Sequence, residues 1–569
     1  MERNAVVATV LVVLILIGYQ WYLSRYEVPV QESSSQATSQ AVQKPTPAPT
    51  PAVAVQPPAA PRTKPAAQSK RFTPTSQLGL APREVTVETP LMRVVLSTAG
   101  ARVTHWQLKT YHLDSGAPVD LVANRDATAA PGPLGAWVDD EQVQGVFQAD
   151  KTSLDLTRGE ASGTVTFKHV TGTGIELQKQ LTFHADGYRV DVAMTIGNLT
   201  EGEVQVQPRL AWGPGLRDSH QNKKSTTLQP PTVWLDGKRV QEDLSKLGKD
   251  KEKNLEGALG WAALQDAYFA AALLPKDKGW VGFIGKTAED QPVVGLTTGK
   301  QAIEPGGQLI LKADVFAGPR DLDTLKRVGS NLEQLVDLGW FDFLARPALW
   351  LLKFLYYYTG NYGIAIILIT VLQKVAFHPL THKSLKSMQA MQAMQPKVQA
   401  IQERYKNNPK KKQEETMALY RKHGVNPMGG CLPMLVQIPI FIALYNALSS
   451  SVEMWQARFL WIRDLTQPDA LFGITIWEGY PLNFLALLMG ASMWLQQKMS
   501  PTTGDPRQAQ MMLWMMPIIF TFMFWSFPSG LVLYWLVNNV LQIGQQWLIN
   551  RGGTAHPPAP EGQGSRDVP

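Results

Sequence analysis

Six apolar runs, each close to the length of a membrane span, constrain this chain more than any other feature. A helix of about 20 residues, at a rise of about 1.5 Å per residue, crosses a hydrocarbon core of roughly 30 Å. The sequence therefore predicts six transmembrane helices, one near the N-terminus and five in the C-terminal third. The runs are Ala5–Leu23, Tyr362–Leu380, Leu432–Leu448, Pro481–Gln496, Met511–Trp525 and Gly530–Ile549.

The composition narrows the possible chemistry. The single cysteine, Cys431, excludes an intramolecular disulfide and a cysteine-based zinc site. Histidines and carboxylates show no metal-ligand spacing, and neither a nucleotide-binding loop nor a nucleophile motif is visible. We expect no metal, no cofactor and no enzymatic activity.

Charges in the loops predict the orientation. Residues 381–430 carry ten Lys and Arg against three Glu, which places that loop in the cytoplasm by the positive-inside rule. Residues 449–480 carry four acidic side chains against two arginines, as expected outside. Both termini are then cytoplasmic. A cleaved signal peptide is the alternative for Ala5–Leu23, but the aromatic end of that run favours a retained anchor.

Between the first two spans, short segments alternate apolar and polar residues. Four examples are Glu84–Thr89, Thr164–Val170, Tyr188–Ile196 and Glu203–Trp212. Period-two alternation bounded by turn residues predicts a large antiparallel β-sandwich of two packed sheets, outside the cytoplasm. The aromatic segment Asp337–Thr359 then predicts an amphipathic helix in the outer membrane interface. A helix packed on the β domain is its alternative.

Polar residues inside the apolar runs are the candidate site. Thr370, Gln373, Lys374 and Phe377 follow helical spacing on one face of the second span. An ammonium near the bilayer centre costs roughly 2.5–3.5 kcal/mol and usually faces a bundle interior or a wet cavity. Snorkelling of Lys374 to the cytoplasmic interface explains the sequence equally well.

Other spans carry hydrogen-bonding side chains too. Gln437 lies in the third span, while Tyr534, Asn538 and Gln542 form an i, i+4, i+8 stripe on the last. Together they favour a wet groove that opens towards the cytoplasm. For any single residue, a hydrogen bond that only holds two helices together is as good an explanation.

The basic loop itself predicts a helical hairpin over residues 381–427. Met391, Met394 and Val398 follow a coiled-coil spacing, and residues 407–409 break the helix before a second, basic helix. Core packing is the favoured role of the methionines; an adaptable surface for client peptides is the other. The candidate contacts with clients, anionic lipids or ribosomal RNA are Met388, Met391, Met394, Lys410, Lys411 and Lys412.

Three segments resemble the YidC family of membrane protein insertases, in order and in spacing. They are NPMGGCLPMLVQIPIFIALY (Asn426–Tyr445), QKMSPTT (Gln497–Thr503) and FPSGLVLYW (Phe527–Trp535). The Pro-rich tether and the outer β domain further resemble the Gram-negative branch, so the resemblance covers nearly the whole chain. Within it, the β domain resembles a sugar-epimerase-type supersandwich.

The resemblance implies an inner-membrane insertase and chaperone with a hydrophilic groove, acting alone or with the Sec translocon. Lys374 stands where the family has a groove arginine, Thr370 matches a groove threonine, and Trp535 replaces the second of two tyrosines. Implied partners are nascent membrane proteins and membrane lipids, with the ribosome or the signal recognition particle pathway as further candidates and no DNA. A secondary transporter or channel is the alternative, although no inverted repeat supports it.

These predictions divide the chain, as a multi-domain membrane protein, into six parts. They are an anchor (1–23), a flexible tether rich in Pro, Ala, Gln and Ser (24–82), a periplasmic β domain (83–335), an interfacial helix (336–361), a five-helix core with its cytoplasmic hairpin (362–550) and a short tail (551–569).

Overall fold

The structure is a computed structural model. It describes residues 81–113, 115–123, 132–138, 141–143, 145–217, 229–247, 252–425, 432–471, 474–477, 480–499 and 506–552. The predicted anchor (1–23), the tether as far as residue 80, and the tail beyond residue 552 lie outside the described residues.

Strands fill the described chain from Glu84 to Pro319, as the alternating segments predict. They are β1 (Glu84–Glu88), β2 (Met92–Ser97), β3 (Arg102–His112), β4 (Pro118–Asp120), β5 (Trp137–Val138), β6 (Glu141–Gln142), β7 (Gln148–Ala149), β8 (Ser153–Asp155), β9 (Ser162–Val170), β10 (Ile175–His184), β11 (Arg189–Asn198), β12 (Val204–Val206), β13 (Pro208–Trp212), β14 (Thr232–Leu235), β15 (Lys238–Gln241), β16 (Glu252–Leu255), β17 (Leu259–Gln265), β18 (Phe269–Pro275), β19 (Val281–Lys286), β20 (Pro292–Thr297), β21 (Gln301–Ile303) and β22 (Gln308–Pro319). Two short strands, β23 (Thr475–Trp477) and β24 (Tyr480–Pro481), form a hairpin further along.

Three large sheets and the two-stranded sheet β12-β21 build the described β domain, whereas the sequence predicted two packed sheets. A nine-stranded sheet has the order β15-β14-β17-β18-β22-β11-β10-β9-β7, and a six-stranded sheet has the order β16-β19-β20-β13-β5-β6. The third, β4-β3-β2-β1-β8, contains a parallel pair, since β1 runs alongside β8. The antiparallel prediction holds for the other pairs of these three sheets.

The side chain of Trp106 lies where the three sheets meet. It is fully buried on β3, and its indole N–H donates to the carbonyl oxygen of Ala317 on β22 over 2.9 Å. Its ring meets that of Trp212 on β13 edge to face, with centroids 5.7 Å apart. Alternation along one strand marks one buried face, but it carries no information about which sheet covers that face.

The predicted strand Glu203–Trp212 is in fact two strands. β12 pairs with β21, whereas β13 begins at Pro208 and pairs with β20 and β5. Proline has no backbone N–H to donate, so it is favoured at the first residue of a strand and not inside one. The chain changes sheets at this point.

Nine α-helices follow within the described residues. They are α1 (Leu322–Val328), α2 (Asp342–Thr359), α3 (Tyr362–Ala393), α4 (Gln395–Arg404), α5 (Pro409–Lys422), α6 (Leu432–Ser449), α7 (Phe484–Met499), α8 (Pro506–Phe524) and α9 (Ser529–Gly552). Helices α3 and α6–α9 coincide with the five predicted C-terminal spans to within a few residues, except at the C-terminal end of α3. That helix does not end at Leu380 but continues through Pro379 into the predicted hairpin region.

By length and hydropathy, one described helix, α3, is long and apolar enough to cross a membrane, and two shorter apolar stretches occur at Leu435–Ser449 and Gln510–Phe524. The six-span count therefore stays a prediction. Helix α2 is amphipathic: Ala345, Leu349 and Leu352 are buried, and the helix packs mainly on α3 and α6. Its other faces expose large aromatic side chains, among them Phe343, Trp350 and Tyr357.

Candidate functional site: a polar cluster between apolar helices

A closed set of hydrogen bonds joins three of the core helices. The hydroxyl of Tyr534 on α9 donates to Oε1 of Gln373 on α3 (3.1 Å) and accepts from Nε2 of Gln437 on α6 (2.6 Å). Nε2 of Gln373 in turn donates to Oε1 of Gln437 over 3.3 Å. Tyr534 is fully buried while Gln373 and Gln437 are partly exposed, so the two amides supply the hydrogen bonds that the buried hydroxyl needs.

Lys374 points across to the last helix. Its ammonium donates to Oε1 of Gln542 on α9 over 2.7 Å, and its side chain is only partly exposed. The Cα of Lys374 lies about 18 Å along α3 from that of Tyr362, at about 1.5 Å per residue. Gln542 lies further towards the hairpin end of the helices than Lys374 does, so this contact is compatible with both the wet groove and snorkelling, and both stay predictions.

The polar contacts between α3 and α9 continue for two more turns. Nε2 of Gln545 lies 3.2 Å from Nδ1 of His378 and donates to the hydroxyl of Thr381 over 3.1 Å. None of these three was a predicted site residue, although His378 and Thr381 lie four and seven residues after Lys374, which is helical spacing. The contacts advance along both helices together, so α3 and α9 run parallel.

The predicted groove residues do not all join this cluster. Thr370 is fully buried, and its hydroxyl donates to the carbonyl oxygen of Ile366 in its own helix. Trp535 faces an aromatic group instead, with ring centroids 4.9 Å from Phe441 and 5.3 Å from Phe524. Asn538 lies on α9 with a buried Oδ1 that has no partner among the described residues.

The loop between α6 and α7 covers the first turns of α3 and α9. Nδ2 of Asn361 donates to the carbonyl oxygen of Arg458, and the backbone N–H of Gly530 donates to that of Leu465. Leu465 and Val452 of this loop are buried. One end of the polar cluster is therefore closed by protein.

The hairpin lies at the other end of α3. Met391 and Met394 are buried and Met388 is partly buried, so the first two pack the interior of the hairpin. The side chains of Lys410 and Lys411 are exposed and that of Lys412 is partly exposed. The hairpin therefore presents charge on its surface while most of its methionine seam is inside.

Helices beside the cluster expose apolar side chains. On α3 these are Ile364, Leu368, Leu372 and Val375, and on α6 Leu435 and Ile438. Helix α8 exposes a larger set: Met511, Met512, Trp514, Met515, Ile518, Ile519 and Phe522. Apolar faces of this extent are typical of contact with lipid or with another apolar segment.

Comparison with curated proteins decides the family. The sequence is 38% identical to a membrane protein insertase YidC of Pelobacter propionicus, over 97% of this chain and 99% of that protein. The chain belongs to the YidC family of membrane protein insertases. A second YidC, from Syntrophus aciditrophicus, is 36% identical over 97% of this chain and 100% of its own length.

Two family models match successive parts of the chain. The YidC periplasmic domain matches residues 84–351, and the 60Kd inner membrane protein family matches residues 354–556. Among solved structures, an active YidC insertase with its first transmembrane domain resolved aligns with 81% of this chain and 92% of its own, at 20% identity and a TM-score of 0.36. YidC is not an enzyme family, and none of these matches supports the transporter or channel alternative.

Proposed function

We propose that this insertase moves short polar flanks of its clients through a groove built around Lys374. The chain is a membrane protein insertase of the inner membrane, with a periplasmic domain, and it acts on nascent membrane proteins. The observation that carries the proposal is the contact between Lys374 and Gln542, deep in otherwise apolar helices. Lys374 is partly exposed and has one neutral hydrogen-bond partner among the described residues, so its ammonium has donors left for an anionic group of a client.

Desolvation explains why such a groove helps. A charged flank that enters hydrocarbon loses its hydration, at a cost of several kcal/mol. Hydrogen-bonding side chains and water in the groove replace part of that hydration, while burial of the client's apolar segment supplies the drive. The positive charge of Lys374 favours acidic flanks.

The cluster's surroundings support one direction of entry. The α6–α7 loop covers the first turns of α3 and α9, while the polar contacts run from Lys374 towards the basic hairpin. We infer that the covered end faces the periplasm and the hairpin end faces the cytoplasm, in agreement with the positive-inside rule. Both termini would then be cytoplasmic.

The exposed apolar faces of α6 and α8 offer a path for the client's apolar segment. Methionine and aromatic side chains on α8 adapt to varied sequences because Met is flexible and polarisable. The Sec translocon, the ribosome or the signal recognition particle pathway would deliver clients, and lipids and the ribosome are partners suited to the exposed lysines at 410 and 411.

The test is complementation of an insertase-depleted strain. Lys374→Arg should retain activity because the charge is kept, whereas Lys374→Ala should impair insertion of clients with acidic periplasmic flanks. We expect a loss of about five- to thirtyfold, the factor that one to two kcal/mol represents. Protease protection of the client's flank measures insertion.

Lys386→Ala is the matched control, since Lys386 lies on the same helix with an exposed side chain. It should insert the same clients at the wild-type rate. Equal insertion by Lys374→Ala and wild type, at equal protein levels, would reject the role of the charge.

A further inference from the structure

The periplasmic domain holds a cavity that the groove does not use. It has a volume of about 540 Å³ and lies between β11, the end of β22 and helix α1. Its lining includes two arginines, Arg189 and Arg327, and two tyrosines, Tyr111 and Tyr188, with Asp186 beside them. A cavity of this size suits a small polar group rather than a folded segment.

Both arginines have hydrogen-bonding capacity left over. Arg189 approaches Asp191 and Asp314 through Nε alone, at 3.4 and 3.9 Å, so its two terminal nitrogens have no partner among the described residues. Arg327 donates through Nε to the carbonyl oxygen of Asp323 and through one terminal nitrogen to Thr324. Its other terminal nitrogen has no partner in the described part of the chain.

The tyrosines add neutral donors. The hydroxyl of Tyr111 has no hydrogen-bond partner within the described residues, and burial raises the pKa of Tyr111, so that it stays protonated. Tyr188 shares a hydrogen bond with Thr110 over 3.3 Å. Two guanidinium groups beside a phenol form a donor set that matches the oxygens of a phosphate.

The cavity also lies close to the predicted membrane surface. Asp321 and Asp323, at the start of α1, both contact Lys353 of the amphipathic helix α2 over 2.9 Å. Arg327 follows about one helical turn after Asp323. Helix α2 exposes Trp350, Phe354 and Tyr357, side chains that favour the headgroup region of a bilayer.

We propose that this cavity binds the phosphate of a glycerophospholipid headgroup from the outer leaflet of the inner membrane. Arg189 and Arg327 hold the phosphate oxygens, Tyr111 donates a further hydrogen bond, and the exposed carboxylate of Asp186 accepts from headgroup hydroxyls. The site anchors the periplasmic domain against the bilayer. It is independent of the groove, so Lys374→Ala should bind lipid as the wild type does.

The test is calorimetric titration of the full-length protein in detergent with dihexanoyl phosphatidylglycerol. Arg327→Gln should weaken binding by about tenfold, because charge-assisted hydrogen bonds are lost. Adding Arg189→Gln should abolish measurable binding. Arg158→Gln, at an exposed arginine of the same domain whose side chain is 86% accessible, should bind as the wild type does.

Three results would overturn the proposal. The first is equal affinity of the wild type and Arg327→Gln, a variant whose exposed position spares the fold. The second is equally tight binding of soluble glycerol phosphate, which would identify a free metabolite rather than a lipid as the ligand. The third is displacement of the lipid by micromolar hexaglutamate, which would identify an acidic peptide segment.

Discussion

Two lysines, the partly exposed Lys374 and the buried Lys179, meet different partners. Lys374 faces the amide oxygen of Gln542 in the helical core. Lys179, on β10 of the periplasmic domain, is 2% exposed and donates to the backbone carbonyl oxygens of Ala101 and Leu134. Both of those residues have a left-handed backbone, with φ of 47° and 56°. Lys374 is a candidate for client contact, whereas Lys179 joins two turns.

The partner of Lys374 allows a test of charge that leaves the lysine in place. Gln542→Glu would set a carboxylate against the amine and neutralise the site, so it should impair acidic-flank clients about as much as Lys374→Ala does. Gln542→Leu keeps the positive charge and should have a smaller effect. Protease protection of the client's flank measures both.

Gln545→Glu is the control, since Gln545 lies on the same helix but contacts His378 and Thr381. A wild-type level of insertion with Gln542→Glu would contradict the electrostatic role of the site.

Lys179 should make stability depend on pH. Burial lowers the pKa of Lys179 from 10.5 to about 7 in the folded chain. Between these values the unfolded chain binds more protons, so this group makes the folded state more stable as the pH rises. Lys179→Met lacks this titrating group. The unfolding free energy of the variant minus that of the wild type should therefore fall as the pH rises, by up to about 1.4 kcal/mol per pH unit.

The measurement is denaturant unfolding of both proteins between pH 7.5 and 9.5, followed by tryptophan fluorescence. Comparison of the two proteins at each pH cancels the other titrating groups. A difference in unfolding free energy that stays constant over this range would show that Lys179 does not titrate there.

At the scale of elements, helix α2 joins the periplasmic domain to the core through one lysine. Lys353 contacts Asp321 and Asp323 of the β domain over 2.9 Å and Glu453 of the α6–α7 loop over 2.5 Å. Burial by itself lowers the pKa of Lys353, but the carboxylates, Glu453 first, outweigh it and raise the pKa above its usual range. Lys353 therefore stays charged among three acids.

Removal of that lysine should loosen both junctions. Lys353→Met leaves three carboxylates facing one another. We expect the free energy of local opening at α1 and α2 to fall by about 1–3 kcal/mol, between the values for exposed and buried ion pairs. Hydrogen exchange of peptides from α1 and α2 measures it. Lys326→Met, at an exposed residue of α1, is the control. Unchanged protection in Lys353→Met would show that packing alone holds α2.

At the scale of the whole molecule, the α6–α7 loop reaches the β domain through Trp455. The indole ring meets Tyr268 and Phe269 edge to face, at 5.2 and 5.4 Å between centroids. Its N–H donates to the carbonyl oxygen of His112 over 2.9 Å. A loop that also caps α3 and α9 is thus packed into the periplasmic domain.

Trp455→Ala should let the two domains move relative to each other, because it removes the aromatic contacts and one hydrogen bond. Spin labels are placed at two exposed positions, 158 and 548, in a chain that carries Cys431→Ser. The distribution of distances between the labels should be broader with Trp455→Ala than without it. Trp455→Phe keeps the ring contacts and should broaden it less. Distance distributions of equal width in all three proteins would show that Trp455 does not hold the two domains together.

Much of this organisation could be predicted from sequence. Helical spacing placed Gln373 and Lys374 in one segment and Tyr534 and Gln542 in another, and the structure brings the two segments together. Alternation also identified strands such as β9 and β11. Asn538 shares the Tyr534 stripe yet lacks a described partner, while Gln545 and His378 meet without having been predicted.

Sequence by itself determined where the core helices and several of the strands lie and which polar residues share a helix face, because those patterns follow from the 3.6-residue and two-residue periods of a single segment. Tertiary structure decided that Trp535 joins aromatic rings while its neighbour Tyr534 joins amides, that three sheets meet at Trp106, and that Lys353 links two domains. Such pairings depend on how distant apolar surfaces pack against each other, and no local period records that packing.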